Sequence, residues 1–258
     1  MSKLFVFHGA DSKTGVSMLA QSAAELIAGE KREKRVLLVN LQGRYGAAYT
    51  GFVGENVEGL RHYLDNRLLN REEVLAGCRC TENLYVIGGV ATIGEERYYQ
   101  PEMSSYLLSE LRDEFDLILA DSGSEIDNGL ALGSLIMGDE LILTLTQQEG
   151  VLKRLEKLTP LYRKLDLAFT LWVCNRFEEG DPYSREYLCR RLNIPQESLF
   201  TAAETQEGRR AEAEARTLLA YRSRAYEADL LNLSNEILRR AGEGPIEKQR
   251  KKRWKSFI

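Results

Sequence analysis

Short apolar runs alternate along this chain with longer segments in which apolar residues recur at helical spacing. Each run holds four to six residues and is apolar at most positions, as in strands that are buried on both faces of a parallel sheet. The pattern predicts six strands, over residues 4–7, 36–39, 84–87, 117–120, 140–145 and 169–174.

The segments between these runs have the periodicity of amphipathic helices. Apolar residues follow Val16 at positions 19, 20, 23, 24 and 27, which form one helix face, and Gly29 ends this helix. Further helices are predicted over 104–112 and 151–165, and a long helical region over 183–240 with a break near 193–195. Strands separated by helices predict an α/β fold, a mostly parallel twisted sheet with helices on both faces.

A loop of small residues joins the first predicted strand to the first predicted helix, with the sequence HGADSKTGVS over residues 8–17. Backbone N–H groups and a helix N-terminus bind phosphate in such a setting, and the standard motif is G-x-x-x-x-G-K-[ST]. Laid on this motif without gaps, Ala10 and Gly15 take the places of the two glycines. Val16 then replaces the lysine, and Ser17 keeps the hydroxyl that would bind Mg²⁺.

A second alignment of this loop is possible. It makes Lys13 the additional lysine of the deviant motif K-G-G-x-G-K-[ST], with residues 17–19 in the G-K-T positions, and it needs a two-residue insertion. We prefer the alignment without gaps, because it also aligns the helix that follows. In both alignments the usual lysine is an apolar residue, and the loop alone is equally typical of an ordinary turn between a strand and a helix.

Three later segments carry polar residues at or just after predicted strands. Asn40 and Gln42 follow the second strand, Asp121 follows the fourth, and Asn175 follows the sixth. Together with the loop, these segments resemble four motifs of the MinD/ParA superfamily of deviant Walker A ATPases: the P-loop, the D-x-D motif, the Walker B strand and the "vvNr" segment. The resemblance covers about residues 3 to 240, and it is nearest to the CpaE/TadZ branch, which is associated with pilus assembly and polar positioning.

The resemblance implies a nucleotide site and assigns residues to it. ATP or ADP would be held by the loop residues Ser12, Lys13, Thr14, Gly15, Val16 and Ser17, with Asn175 at the adenine. Ser17 and Asp121 would hold Mg²⁺, and two copies of the chain would dimerise across the nucleotide. Four of these residues could instead have ordinary structural roles. Ser17 could be a polar residue at the start of a helix, and Asp121 could cap a helix or turn. Asn175 could form a turn, and Lys13 could be a solvated side chain. His8 is interpreted as a packed residue at the strand end rather than as a catalyst.

The departures from the family pattern concern charge. Phosphoryl transfer depends mainly on positioning and charge neutralisation, and Val16 cannot neutralise phosphate. Asn40 and Gln42 replace carboxylates and cannot act as bases. We therefore assign no catalytic residue and expect slow or absent hydrolysis with weakened nucleotide binding.

The expected function is a localisation or scaffold factor for a membrane-associated machine such as pilus assembly or secretion. The alternatives are an active ATPase in partition or cell-division positioning and a nucleotide-free interaction domain. A bacterial tyrosine kinase of the same superfamily is disfavoured, because those enzymes typically end in a tyrosine cluster and this chain has no tyrosine after Tyr226.

The charge of the chain is unevenly distributed. The net charge is −4, although six of the last 11 residues are basic and none is acidic. We therefore divide the chain into a domain over 1–241 and a linker with a basic tail over 242–258. On a helix, Trp254, Phe257 and Ile258 would share one face, which suits an anionic membrane surface and is similar to the membrane-targeting helix of MinD relatives. A solvated tail remains an alternative, and DNA contact is less favoured because the rest of the chain is acidic.

The expected location is the cytoplasm, with the tail at the inner face of the membrane. No apolar run approaches the roughly 20 residues that span a bilayer, and the first run is too short for a signal peptide. Cys78 and Cys80 lie close together, but the chain has only two histidines and no second close cysteine pair. Structural zinc needs about four ligands, so reduced structural thiols are the better interpretation.

Overall fold

The computed structural model describes residues 2–44, 54–214 and 216–247. The basic tail predicted over 248–258 lies outside the described residues, and so do the membrane and DNA contacts proposed for it. Within the described residues, no helix is both long enough and apolar enough to cross a membrane.

Seven strands form one sheet in the described part of the chain, and all neighbouring strands run parallel in the order β3-β2-β4-β1-β5-β6-β7. This confirms the predicted fold class. The strands are β1 (Lys3–Gly9), β2 (Val36–Asn40), β3 (Leu84–Ile87), β4 (Leu117–Asp121), β5 (Glu140–Leu145), β6 (Phe169–Phe177) and β7 (Leu199–Ala203).

Helices connect the strands and cover both faces of the sheet. The α-helices are α1 (Val16–Glu30), α2 (Val57–Asn66), α3 (Arg71–Cys78), α4 (Pro101–Leu111), α5 (Gly129–Met137), α6 (Glu149–Lys164), α7 (Arg185–Leu192), α8 (Gly208–Ala213) and α9 (Arg224–Arg240). Short 3₁₀ helices span Glu95–Tyr98, Arg112–Glu114, Gln196–Ser198 and Leu218–Tyr221.

Alternate residues of β1 belong to two separate apolar cores, as expected for a central strand with period-two side chains. Phe5 and Phe7 pack with α1 and α9, whereas Leu4 and Val6 pack with α4, α5 and α6 on the opposite face. Because both faces are covered, the strands are apolar at nearly every position, which is why they could be recognised from the sequence.

The prediction of a helical region over 183–240 with a break near 193–195 is wrong at β7. Residues Leu199–Ala203 pair in parallel with β6, and the Ala203 N–H donates to the Asp229 carboxylate at 3.0 Å. The two alanines of this segment favour a helix locally, so pairing with β6 overrides the local preference. The break near residue 193 is confirmed, because Asn193 ends α7 in the left-handed conformation with φ 54°.

The start of the predicted linker contacts the domain. Glu243 forms an ion pair with Lys34 at 2.6 Å, and Ile246 is buried while its N–H donates to Asn235 Oδ1 at 2.7 Å. The boundary at residue 241 stays a prediction.

Candidate functional site

The predicted site residues meet at one edge of the sheet, where the carboxyl ends of parallel strands lie side by side. The loop between β1 and α1 lies at this edge. Asn40 and Asp121 lie opposite each other at the ends of β2 and β4, and Asn175 lies near the end of β6. In open parallel sheets, ligands bind at this edge.

The loop is anchored by backbone hydrogen bonds to two neighbouring strand ends. Gly9 N–H donates to the Gly123 carbonyl at 2.7 Å, and Ala10 N–H donates to the Thr144 carbonyl at 2.8 Å. Within the loop, the Thr14 hydroxyl donates to the Asp11 carbonyl at 3.0 Å. These bonds give the loop a defined shape and leave Ser12 and Lys13 exposed at its tip.

Two residues of the loop have left-handed backbone conformations, Lys13 with φ 61° and Gly15 with φ 83°. Gly15 lies at the N-cap of α1, and a β-carbon there would lie 2.2 Å from the Asn175 amide nitrogen. Glycine is therefore required at this position both by the backbone and by the available space.

Asn175 supports the loop from β6. Its side chain is buried, and its amide nitrogen donates to the Thr14 carbonyl at 2.8 Å. The residue lies inside β6, because the strand continues to Phe177, three residues beyond its predicted end. The adenine contact expected from the sequence stays a proposal; the structure adds a role for Asn175 in holding the loop.

Val16 is packed into the protein. It is 8% exposed and belongs to the core cluster that contains Phe7 and Leu19. An apolar side chain in this position stabilises the start of α1 but supplies no positive charge to the loop.

Gln42 connects Ser17 to Asp121. Its amide nitrogen donates to Ser17 Oγ and to Asp121 Oδ2, each at 2.6 Å. The nitrogen must face Asp121, since the amide oxygen in its place would point at a carboxylate oxygen. The structure thus brings the two proposed metal ligands together, with a hydrogen-bond donor between them.

The backbone around Gln42 and the stem of its side chain are both held in place. Asn40 Oδ1 accepts a hydrogen bond from the Gln42 N–H at 3.1 Å, and Leu41 N–H donates to the Asp121 carbonyl at 2.8 Å. Gly123 has φ 61°, and a β-carbon there would approach Gln42 Cγ to 2.9 Å. Both residues that replace the acidic motif therefore take part in one hydrogen-bonded arrangement.

This arrangement does not fit a magnesium ion. Mg²⁺ requires oxygen ligands at about 2.0–2.1 Å in octahedral geometry. The Gln42 nitrogen occupies the position between the two oxygens and cannot act as a ligand, since its lone pair is delocalised into the amide carbonyl and its two hydrogens point at the oxygens.

His8 is fully buried in β1 and lies between two hydroxyl groups. The Ser122 hydroxyl donates to the Phe7 carbonyl at 2.9 Å, so it accepts from His8 Nδ1 at 3.0 Å. His8 Nε2 then accepts from the Tyr162 hydroxyl at 3.1 Å. Burial, followed by the positive charge of Arg154, lowers the pKa of His8 to about 4. The ring is a neutral packed residue, as the sequence indicated.

Arg154 of α6 was missed by sequence reasoning. Its guanidinium lies 3.4 Å from Asp11 in the loop and 3.2 Å from Glu125 in the segment after β4. It is therefore a cation beside the loop, supplied by a different element from the one that carries the usual lysine. No motif identifies it, because its position depends on how α6 packs against β1.

Comparisons with known proteins find similarity in structure and none in sequence. No protein-family model matches this chain, and no curated protein matches it in sequence. A ParA family ATPase from Chlorobium tepidum TLS is similar in structure with a TM-score of 0.78 and 17% identity, over 91% of this chain and 99% of that one. The septum site-determining protein MinD from Pyrococcus horikoshii OT3, solved with Mg-ADP, has a TM-score of 0.74 and 18% identity, over 94% and 98% of the two chains.

A third similar structure is the MinC:MinD cell division protein complex from Aquifex aeolicus. Its TM-score is 0.69 with 14% identity, over 96% of this chain and 99% of that one. At these identities the likeness shows the fold. The chain therefore has the fold of the ParA and MinD ATPases, with the loop between β1 and α1 at the same edge of the sheet as Asp121 and Asn175.

Proposed function

We propose that this chain is a nucleotide-binding protein that hydrolyses ATP slowly or not at all and acts as a localisation or scaffold factor for a membrane-associated machine such as pilus assembly or secretion. One contrast supports the nucleotide-binding and hydrolysis parts of this proposal. The loop between β1 and α1 keeps its anchored shape, whereas Val16 is buried in place of a lysine and Gln42 is hydrogen-bonded to Asp121 in place of an acid.

Binding rests on the backbone of the loop. The N–H groups at the start of α1 have no partners within the helix, and the helix dipole places about half a positive charge there, which attracts phosphate. The ligand is ATP or ADP, held by residues 12–17 with Asn175 beside them. Because Val16 adds no charge, binding is weaker than in a site with a lysine.

Loss of hydrolysis follows from the groups that replace the acids. Gln42 cannot take a proton from water, and Asn40 is buried and accepts a hydrogen bond from the Gln42 backbone. The site can hold phosphates, but it has no base at positions 40 and 42 and no lysine at position 16 with which to promote their transfer.

Calorimetry with ATP tests the binding step, and two glycine variants, one at the N-cap of α1 and one inside the helix, make the test specific. Gly15→Ala forces a β-carbon against Asn175, whereas Gly29→Ala adds one where no atom lies within 4 Å. We expect the first variant to lose about tenfold or more in affinity, about 1.4 kcal/mol, and the second to bind as the wild type does. Equal affinity in both variants would place the site elsewhere. Absence of binding in the wild type would make the chain a nucleotide-free interaction domain.

The scaffold role requires association with itself and with a membrane partner. We propose a homodimer formed across the nucleotide, and light scattering with and without ATP measures it. We also propose that residues 248–258 contact an anionic membrane. Vesicles containing phosphatidylserine should sediment the full chain but not a chain that ends at residue 247, and equal sedimentation of both would contradict this part of the proposal.

A further inference from the structure

The amide nitrogen of Gln42 lies between two oxygen atoms that would together suit a divalent cation. It is 2.6 Å from Ser17 Oγ and 2.6 Å from Asp121 Oδ2. A primary amide nitrogen carries two hydrogens, so it can donate to both oxygens at once. The group therefore makes the same link between α1 and the end of β4 that a bound cation would make.

We propose that the Gln42 carboxamide takes the place of a divalent cation between Ser17 and Asp121, so that the site contains no metal and the phosphate ligand binds in its metal-free form. The absence of a metal between Ser17 and Asp121 is inferred from the geometry alone. The binding of a metal-free phosphate ligand also rests on the proposed function.

Charge explains why an amide suits this position. A carboxylate at residue 42 would lie against that of Asp121, and two carboxylates so close cannot both ionise without a cation between them. Two like charges in contact at a partly buried site repel strongly. The neutral amide removes this repulsion and donates to the carboxylate, so the cation is no longer required.

The surroundings of Gln42 keep it in this position. Its backbone N–H is bound by Asn40, and Gly123 packs against its side-chain stem. A cation could enter only if Gln42 moved away, and both amide hydrogen bonds would then be lost. Asp121 is fully buried, and its other carboxylate oxygen accepts from the Gly123 N–H at 2.9 Å.

Thermal unfolding in MgCl₂ and in EDTA tests the metal statement without any nucleotide. We define cation binding at this site as the rise in melting temperature from EDTA to MgCl₂ that the further substitution Asp121→Asn abolishes. The wild type should show no such rise. Gln42→Glu should gain one, of roughly 5–10 °C when the cation is present at about 100 times its dissociation constant. Gln206→Glu, which adds the same charge at an exposed turn, should behave as the wild type does.

Two results would overturn the proposal. One is a rise in the wild type that Asp121→Asn abolishes, because a cation would then bind despite Gln42. The other is no rise in Gln42→Glu, because Ser17 and Asp121 would then form no cation site for the amide to replace. If Gln42→Glu does not fold, Gln42→Ala replaces it, and Mn²⁺ uptake is measured by the loss of the free-ion resonance signal. We expect uptake by Gln42→Ala and none by the wild type. Uptake by the wild type and none by Gln42→Ala would contradict the proposal.

Calorimetry with ATP in MgCl₂ and in EDTA tests the statement about the ligand. The wild type should bind ATP at least as tightly in EDTA, and a loss of about tenfold or more in EDTA would overturn this half of the proposal. If ATP does not bind under either condition, the proposed function fails, while the unfolding result for the metal remains.

Discussion

The amide nitrogen of Asn175 donates a 2.8 Å hydrogen bond to the main-chain carbonyl of Thr14, so the end of β6 holds the loop between β1 and α1. The contact joins segments 161 residues apart in the sequence. It fixes the last turn before Gly15, where the loop passes into the helix.

Replacing Asn175 by Ala should lower the free energy of unfolding by about 1–3 kcal/mol, because the buried carbonyl of Thr14 loses its partner. Urea unfolding measures the change, and Asn232→Ala at an exposed position of α9 is the matched control. An Asn175→Ala protein as stable as the control but deficient in ATP binding would show that Asn175 contacts the ligand instead of supporting the loop.

Restoring the lysine at position 16 should separate binding from hydrolysis. Val16→Lys should tighten ATP binding, because it adds a positive charge at the start of α1, and it should not produce turnover while Asn40 and Gln42 remain. Calorimetry and phosphate release are the two readouts, with Val16→Ala as the control for lost packing. Rapid phosphate release by Val16→Lys would mean that the lysine alone was missing.

The buried ring of His8 predicts a pH dependence of stability. Its pKa is lowered from 6.5 to about 4 by burial and by Arg154, so the folded protein binds fewer protons than the unfolded chain between these values. The stability due to the neutral ring is therefore present above about pH 6.5 and is lost as the pH falls towards 4, by about 3 kcal/mol in total.

Urea unfolding across this pH range should show the loss in the wild type and in His62→Gln, where the ring is exposed. In His8→Gln the loss should be smaller, because this variant has no ring to protonate. An unchanged pH profile in His8→Gln would contradict the assignment.

Six of the strands could be predicted from the sequence because a sheet covered on both faces needs continuous apolar runs. The bounds of β3 and β5 agree with the prediction. β7 could not be predicted, because Leu199–Ala203 becomes a strand only through pairing with β6, which is distant in the chain.

The chemistry of the site was harder to predict than its position. Order along the chain indicated that Ser17, Asp121 and Asn175 would lie near the loop, and they do. The arrangement of Gln42 was not predicted: the sequence showed an amide where an acid was expected, but the two hydrogen bonds of that amide depend on how β2, α1 and β4 meet. Arg154 was missed for the same reason.

Phosphate release from ATP, measured in parallel on the wild type and on Asp121→Asn, tests the central claim most directly. A protein that binds nucleotide without hydrolysing it should release phosphate at the same background rate in both preparations. Steady turnover in the wild type that disappears in Asp121→Asn would contradict the account and identify the chain as a working ATPase.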